Sequence, residues 1–77
     1  MIIIGQDKDI AVNFNNIDAI KIGNTRNQYR ETIYARLSSD YFYKIGEYKT
    51  EERAEEILRD IAHWYEIDAK VYRMPEE

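Results

Sequence analysis

"GEYKTEERAEEILRDIAHWYEI", residues 46–67, holds the long helical pattern of this 77-residue chain, and its reading decides the fold. Ala54, Ile57, Leu58, Ile61, Trp64 and Tyr65 recur at helical spacing as one apolar stripe, while Glu55, Glu56, Arg59, His63 and Glu66 gather on the opposite side. Thr50 is placed to cap the first free backbone amides, and Glu51 and Glu52 stand against the positive end of the helix dipole. The third helical position is Arg53, so the reach-back carboxylate of a full capping box is missing. Glu51/Glu55 and Glu52/Glu56 repel by roughly 0.2–0.5 kcal/mol per pair, so burial of the stripe must hold the helix. Residues 50–67 are therefore read as an amphipathic helix that needs a sheet to cover.

The preceding residues supply strands. Ile2, Ile3 and Ile4 form a β-branched run, apolar on both faces, that fits a central or doubly covered strand. Asp7, Lys8 and Asp9 make a polar turn, after which Ile10, Val12 and Phe14 alternate with Ala11 and Asn13 as in a half-buried strand. Asn15 and Asn16 favour a turn, Ile20 and Ile22 mark a third short strand, and Gly23 to Gln28 reads as a loop. From Tyr29 onward Ile33, Ala35 and Leu37 point one way, and Thr32, Tyr34 and Arg36 the other. A reversal at Ser38 to Asp40 leads into Tyr41 to Ile45, and this is the strongest hairpin signal in the chain. Gly46 reads as the end of that strand, and Ala69 to Met74 as an optional last strand before Pro75. The expected fold is a single α+β domain over residues 1–77. It is an antiparallel sheet of four or five short strands in ββββα order, with an optional final strand and the helix as cover of one face.

Composition narrows the class of protein. With no cysteine there is neither a disulfide framework nor a thiolate metal site, which favours a reducing, intracellular setting. The opening "MIIIGQDKD" has no basic n-region, and its apolar run falls far short of a span of about 20 residues. The reading is a cytoplasmic protein with no membrane partner. A formal charge of −4 argues against a general nucleic-acid binder, which needs a net basic footprint.

Catalytic signatures are sparse. His63, the single histidine, falls on the charged side of the helix, where a solvated surface residue is the plain reading. Gly5, Gly23 and Gly46 are too scattered for a phosphate-cradling loop, and no metal-ligand spacing is present. The paired carboxylates lie on an exposed helix face, with little burial to raise a pKa for acid–base work. No catalytic residue, metal ligand or cofactor is expected, and the protein is read as a non-enzyme.

Charge distribution says more than charge total. Residues 1–20 carry net −2, residues 21–50 net +3 and residues 51–77 net −5, so the hairpin region is basic and the helix acidic. Tyr29, Tyr34, Tyr41, Tyr43 and Tyr48 crowd the basic part. Three readings stay open for this mixture. It is ordinary sheet surface, where β-propensity enriches tyrosine; a protein interface, where tyrosine and arginine are favoured anchors; or a nucleotide or short single-stranded nucleic-acid site. In the last case Arg26, Arg30, Arg36 and Lys44 would meet phosphates, and Tyr34 with Tyr41 or Phe42 would stack on bases.

The stretches "MIIIGQDKDIAVNF", "IGEYKTEERAEEIL" and "YRMPEE" resemble a group of small uncharacterised proteins carried by phages and mobile elements of low-GC Gram-positive bacteria. The resemblance covers both ends of the chain and carries no catalytic motif. It implies an accessory protein that regulates its host or blocks host defences by binding. The leading expectation is thus a non-enzymatic interaction module that binds a host protein and self-associates as a homodimer or larger. Its apolar and aromatic runs exceed what one helix covers, so a second sheet face needs a partner. Nucleotide or single-stranded nucleic-acid binding stands second.

Overall fold

The computed structural model describes residues 1–25, 30–37 and 41–77, the side chains of residues 24, 25 and 30 excepted. Among these described residues six strands and one helix follow in the order β1 (Ile2–Ile4), β2 (Ala11–Asn13), a single 3₁₀ turn (Phe14–Asn16), β3 (Ile17–Thr25), β4 (Arg30–Leu37), β5 (Phe42–Tyr48), α1 (Glu51–Glu66) and β6 (Val71–Arg73). The fold is α+β, but its strands form two three-stranded sheets rather than one sheet of four or five. β3, β4 and β5 make an antiparallel meander. β1 is a central strand, as its all-apolar composition suggests, but in the other sheet, antiparallel to β2 and parallel to β6. The β1–β6 ladder sets Ile2 against Val71 and Ile4 against Arg73, joining opposite ends of the chain. Local alternation records that a segment is a strand but not which distant strand it pairs with, and this pairing redraws the architecture.

α1 forms where its periodicity places it. Thr50 Oγ1 accepts from the Arg53 amide at 3.1 Å, and Glu51 and Glu52 occupy the first turn. Ala54, Ile57 and Ile61 are buried against a core that includes Ile33, Ala35, Ile45 and Tyr48 of the meander. Ile3, Val12, Tyr72 and Met74 complete the same core, so the terminal strands cover it together with the helix. The helix is therefore not the sole cover of the core. Once the second sheet closes one side, the end of the apolar stripe is not needed, and Trp64 and Tyr65 stay largely exposed. Tyr65 still finds a neighbour, with its ring centroid 4.7 Å from that of Phe14.

Gly46 does not end β5, which continues to Tyr48. Ile33 pairs with Gly46 and Tyr34 with Lys44, so Ile45 is the extra residue of a β-bulge. Tyr48 then folds its ring back over Gly46, where a Cβ would stand 2.7 Å from the Tyr48 Cε2 atom. The glycine read as the end of the strand makes room for a fully buried tyrosine of the core. Of the loop expected over residues 23–28, residues 23–25 belong to β3. Residues 26–29, and the reversal expected at 38–40, lie outside the described residues.

Gln6 fastens the two sheets together. Its backbone amide donates to the Ile45 carbonyl at 2.8 Å. Its carboxamide pairs with both backbone groups of Glu47, accepting from the amide at 2.8 Å and donating to the carbonyl at 3.0 Å. The same Nε2 donates to the Glu76 carbonyl at 2.8 Å. One side chain thus imitates a strand residue along the outer edge of β5 and ties down the C-terminal residues. Gln6→Leu is expected to lower unfolding free energy by about 2–3 kcal/mol, because it strands partly buried backbone groups. Lys8→Ala, which removes the exposed Lys8–Glu76 ion pair at 3.4 Å, should change it by less than about 0.5 kcal/mol. Urea denaturation of the two variants checks the contrast.

Candidate binding face

Cross-strand register builds the outer face of the meander, the side turned away from α1. One row runs Lys21, Tyr34, Lys44 across β3, β4 and β5, and the next runs Ala19, Arg36, Phe42. Directly opposed residues share a face, so these side chains all rise on the same side. Phe42 is the centre of the group. The Lys21 ammonium sits 4.7 Å from its ring centroid and the Arg36 guanidinium carbon 5.8 Å, while Tyr34 meets it edge-on at 6.4 Å. The ring attracts cations through its quadrupole, at about 0.5–1 kcal/mol each in an exposed setting, and so gathers two positive charges over one apolar floor. Lys44 pairs with Glu47 at 3.3 Å beside it. Tyr34 lies low on the sheet because Gly23 leaves space, a Cβ there being 3.1 Å from the tyrosine ring.

The candidate residues separate cleanly on this geometry. Tyr34, Arg36, Phe42 and Lys44 come together. Tyr41 does not, because its ring stacks on Tyr43 at 6.5 Å and 28°, and Tyr43 shares the opposite face with Ala35. Phe42, not Tyr41, is therefore the aromatic that accompanies Tyr34. Arg26 lies outside the described residues, and Arg30 is described by its backbone alone. Lys21 was not foreseen as a member. The alternation of Ile20 and Ile22 already turned it away from the core, but its place beside Phe42 follows from the pairing of β3 with β4, which the sequence does not print.

Gln6, Asp7, Lys8, Lys44, Glu47 and Glu76 border an open recess of about 480 Å³ in which the two lysines are already paired with the two glutamates. Among the described residues no group of three or more His, Cys, Asp or Glu is placed to hold a metal ion. No helix among them is long and apolar enough to cross a membrane. His63 is exposed on α1. Two phenols are displaced from their usual range. Burial pushes Tyr48 up to about 12 against the opposing pull of Arg53, and its hydroxyl donates to the Pro75 carbonyl at 2.8 Å. Burial likewise raises Tyr72, followed by its hydrogen bond to Asp60 Oδ2 at 3.0 Å. Both act as neutral donors that pin the last strand and the segment after it.

No protein-family model, curated protein or solved structure matches the chain.

The two phenols give stability a definite pH dependence. Their folded pKa values lie above the unfolded value of about 10, so their contribution is complete below that pH and is lost as pH rises through the folded values. Thermal melts should therefore be level between about pH 7 and 9 with respect to these groups and fall from about pH 10 upward. Tyr48→Phe, which cannot ionise, should reduce the alkaline fall while costing about 1 kcal/mol at neutral pH for the lost bond to Pro75.

Proposed function

We propose that this protein is a non-enzymatic interaction module that binds another protein through the outer face of the β3–β4–β5 meander. The observation that carries the reading is Phe42, 46% exposed on that face with the Lys21 and Arg36 cations over its ring. Tyr41 and Tyr43, 64% and 38% exposed, stack on each other on the opposite side and are not part of this face. Exposed aromatics beside Lys21 and Arg36 are the composition of interface anchors. The context implied by the sequence resemblance, an accessory protein of a phage or mobile element acting on a host protein, fits a binding role.

Self-association belongs to the same reading and has its own surface. Ile2 and Val71 are register partners on the outward side of the smaller sheet, and Trp64 borders the same recess as Val71. All three are more than a third exposed. A second copy is the natural cover for such an apolar patch.

A second reading, binding of nucleotides or short single-stranded nucleic acid, is favoured by one observation: Arg36 and Lys44 rise on the same face as Tyr34 and Phe42. The net charge of −4 opposes it.

Affinity capture from host lysate tests the leading reading. Phe42→Ala should reduce the captured partner about tenfold or more, as expected of an interface anchor. Val71→Glu should leave capture intact and shift sedimentation at high micromolar concentration from dimer to monomer. A wild-type chain that sediments as a monomer there would remove the self-association claim, and capture indifferent to Phe42 would remove the proposed face.

A further inference from the structure

The two edges of the meander are finished differently. Along β5, Gln6 engages Ile45 and Glu47, so that part of this edge is covered by the chain itself. β3 is the other edge and, at nine residues, the longest strand among the described residues. Among the described residues, no backbone–backbone hydrogen bond joins residues 18–25 to anything other than β4. The sides of this edge also differ in chemistry. Toward the core, Ile20 and Ile22 share a face with Ala35 and Ile33 yet remain only partly buried, as does Leu58 on α1. Toward the outer face, Lys21 is exposed and has no carboxylate within ion-pair distance among the described residues.

We propose, resting on the protein-binding reading above, that β3 is a docking track for an extended acidic segment of the partner protein. The segment adds to the meander as a fourth strand. Its backbone pairs with the open edge, its apolar side chains turn toward Ile20, Ile22 and Leu58, and its carboxylates turn toward Lys21 beside Arg36. Main-chain bonds along the edge supply affinity, and alternate side chains supply selectivity. A second copy suits this edge poorly, because antiparallel pairing of two β3 strands brings both Lys21 side chains to one surface. A lysine on an open edge discourages indiscriminate pairing, and here it also selects the sign of the charge that pairs. A polynucleotide suits it poorly too. Phosphates accept hydrogen bonds from edge amides but donate none to edge carbonyls.

The full-length chain, isotope-labelled, can be titrated with an end-blocked octapeptide of alternating Glu and Val, a matched Lys–Val peptide and an oligothymidylate. The Glu–Val peptide should bind at least about tenfold more tightly than the Lys–Val peptide and slow hydrogen exchange of the β3 amides. Lys21→Glu should reverse that preference, and Lys21→Gln should weaken Glu–Val binding about threefold or more. Both substitutions sit on an exposed side chain, and matching thermal melts confirm that the fold is kept. The track is overturned if the Glu–Val peptide fails to bind, binds without protecting β3, or binds equally to the Lys21→Glu chain. It is equally overturned if the oligothymidylate binds more tightly, or if β3 becomes protected with rising protein concentration alone. The two levels of the reading separate in capture from lysate. A host protein held equally by wild-type and Lys21→Glu chains keeps the protein-binding reading and removes the β3 track, whereas absence of any captured protein removes both.

Discussion

Gln6 is the constraint on which the arrangement depends. A three-stranded meander and a sheet made from the two ends of the chain share one core, and something must hold their relative position. Gln6 does so with its backbone on Ile45 and its carboxamide on Glu47 and Glu76. Each of these bonds is modest in net terms, but each would leave a backbone group without a partner if lost, and that asymmetry makes the contact hard to replace. A residue with a single donor or acceptor could not do the same. Only a primary amide offers a carbonyl oxygen and two N–H donors at once.

The same contact bears on the candidate face. By engaging Ile45 and Glu47, Gln6 covers part of the free edge of β5, and β3 forms the other edge of the meander. The bulge at Ile45 then turns Tyr48 into the core above Gly46, while Phe42 and Lys44 stay on the outer face. Core and surface are coupled through one strand. The segment that anchors Tyr48 also presents Phe42, so the aromatic floor beneath Lys21 and Arg36 rests on a rigid support rather than on a loop.

Charge follows the same division. The acidic side chains of α1 lie on its outward side and the cations of the meander lie on its outer face, two surfaces separated by the core. A chain with net −4 therefore presents a local cationic patch. Total charge governs long-range behaviour, but contact at short range is decided by the few groups within a Debye length of about 8–10 Å. This is the physical basis for reading the patch apart from the whole.

The sequence by itself determined the elements whose signals are local. α1 with its Thr50 cap, the alternation of β4, and the grouping of Tyr34 with Arg36 away from Ile33 and Ala35 all follow from period and capping chemistry carried within a few residues. Tertiary structure decided what depends on distant partners. The pairing of Ile2–Ile4 with Val71–Arg73, the split into two sheets, the passage of β5 through Gly46, and the exposure of Trp64 rest on contacts between segments far apart in the chain. The candidate face divides in the same way. Tyr34, Arg36, Phe42 and Lys44 could be named from alternation, whereas the choice of Phe42 over Tyr41 and the arrival of Lys21 over its ring came from cross-strand register. Periodicity fixes which side of its own strand a residue faces, but only pairing fixes which side chains of neighbouring strands it meets.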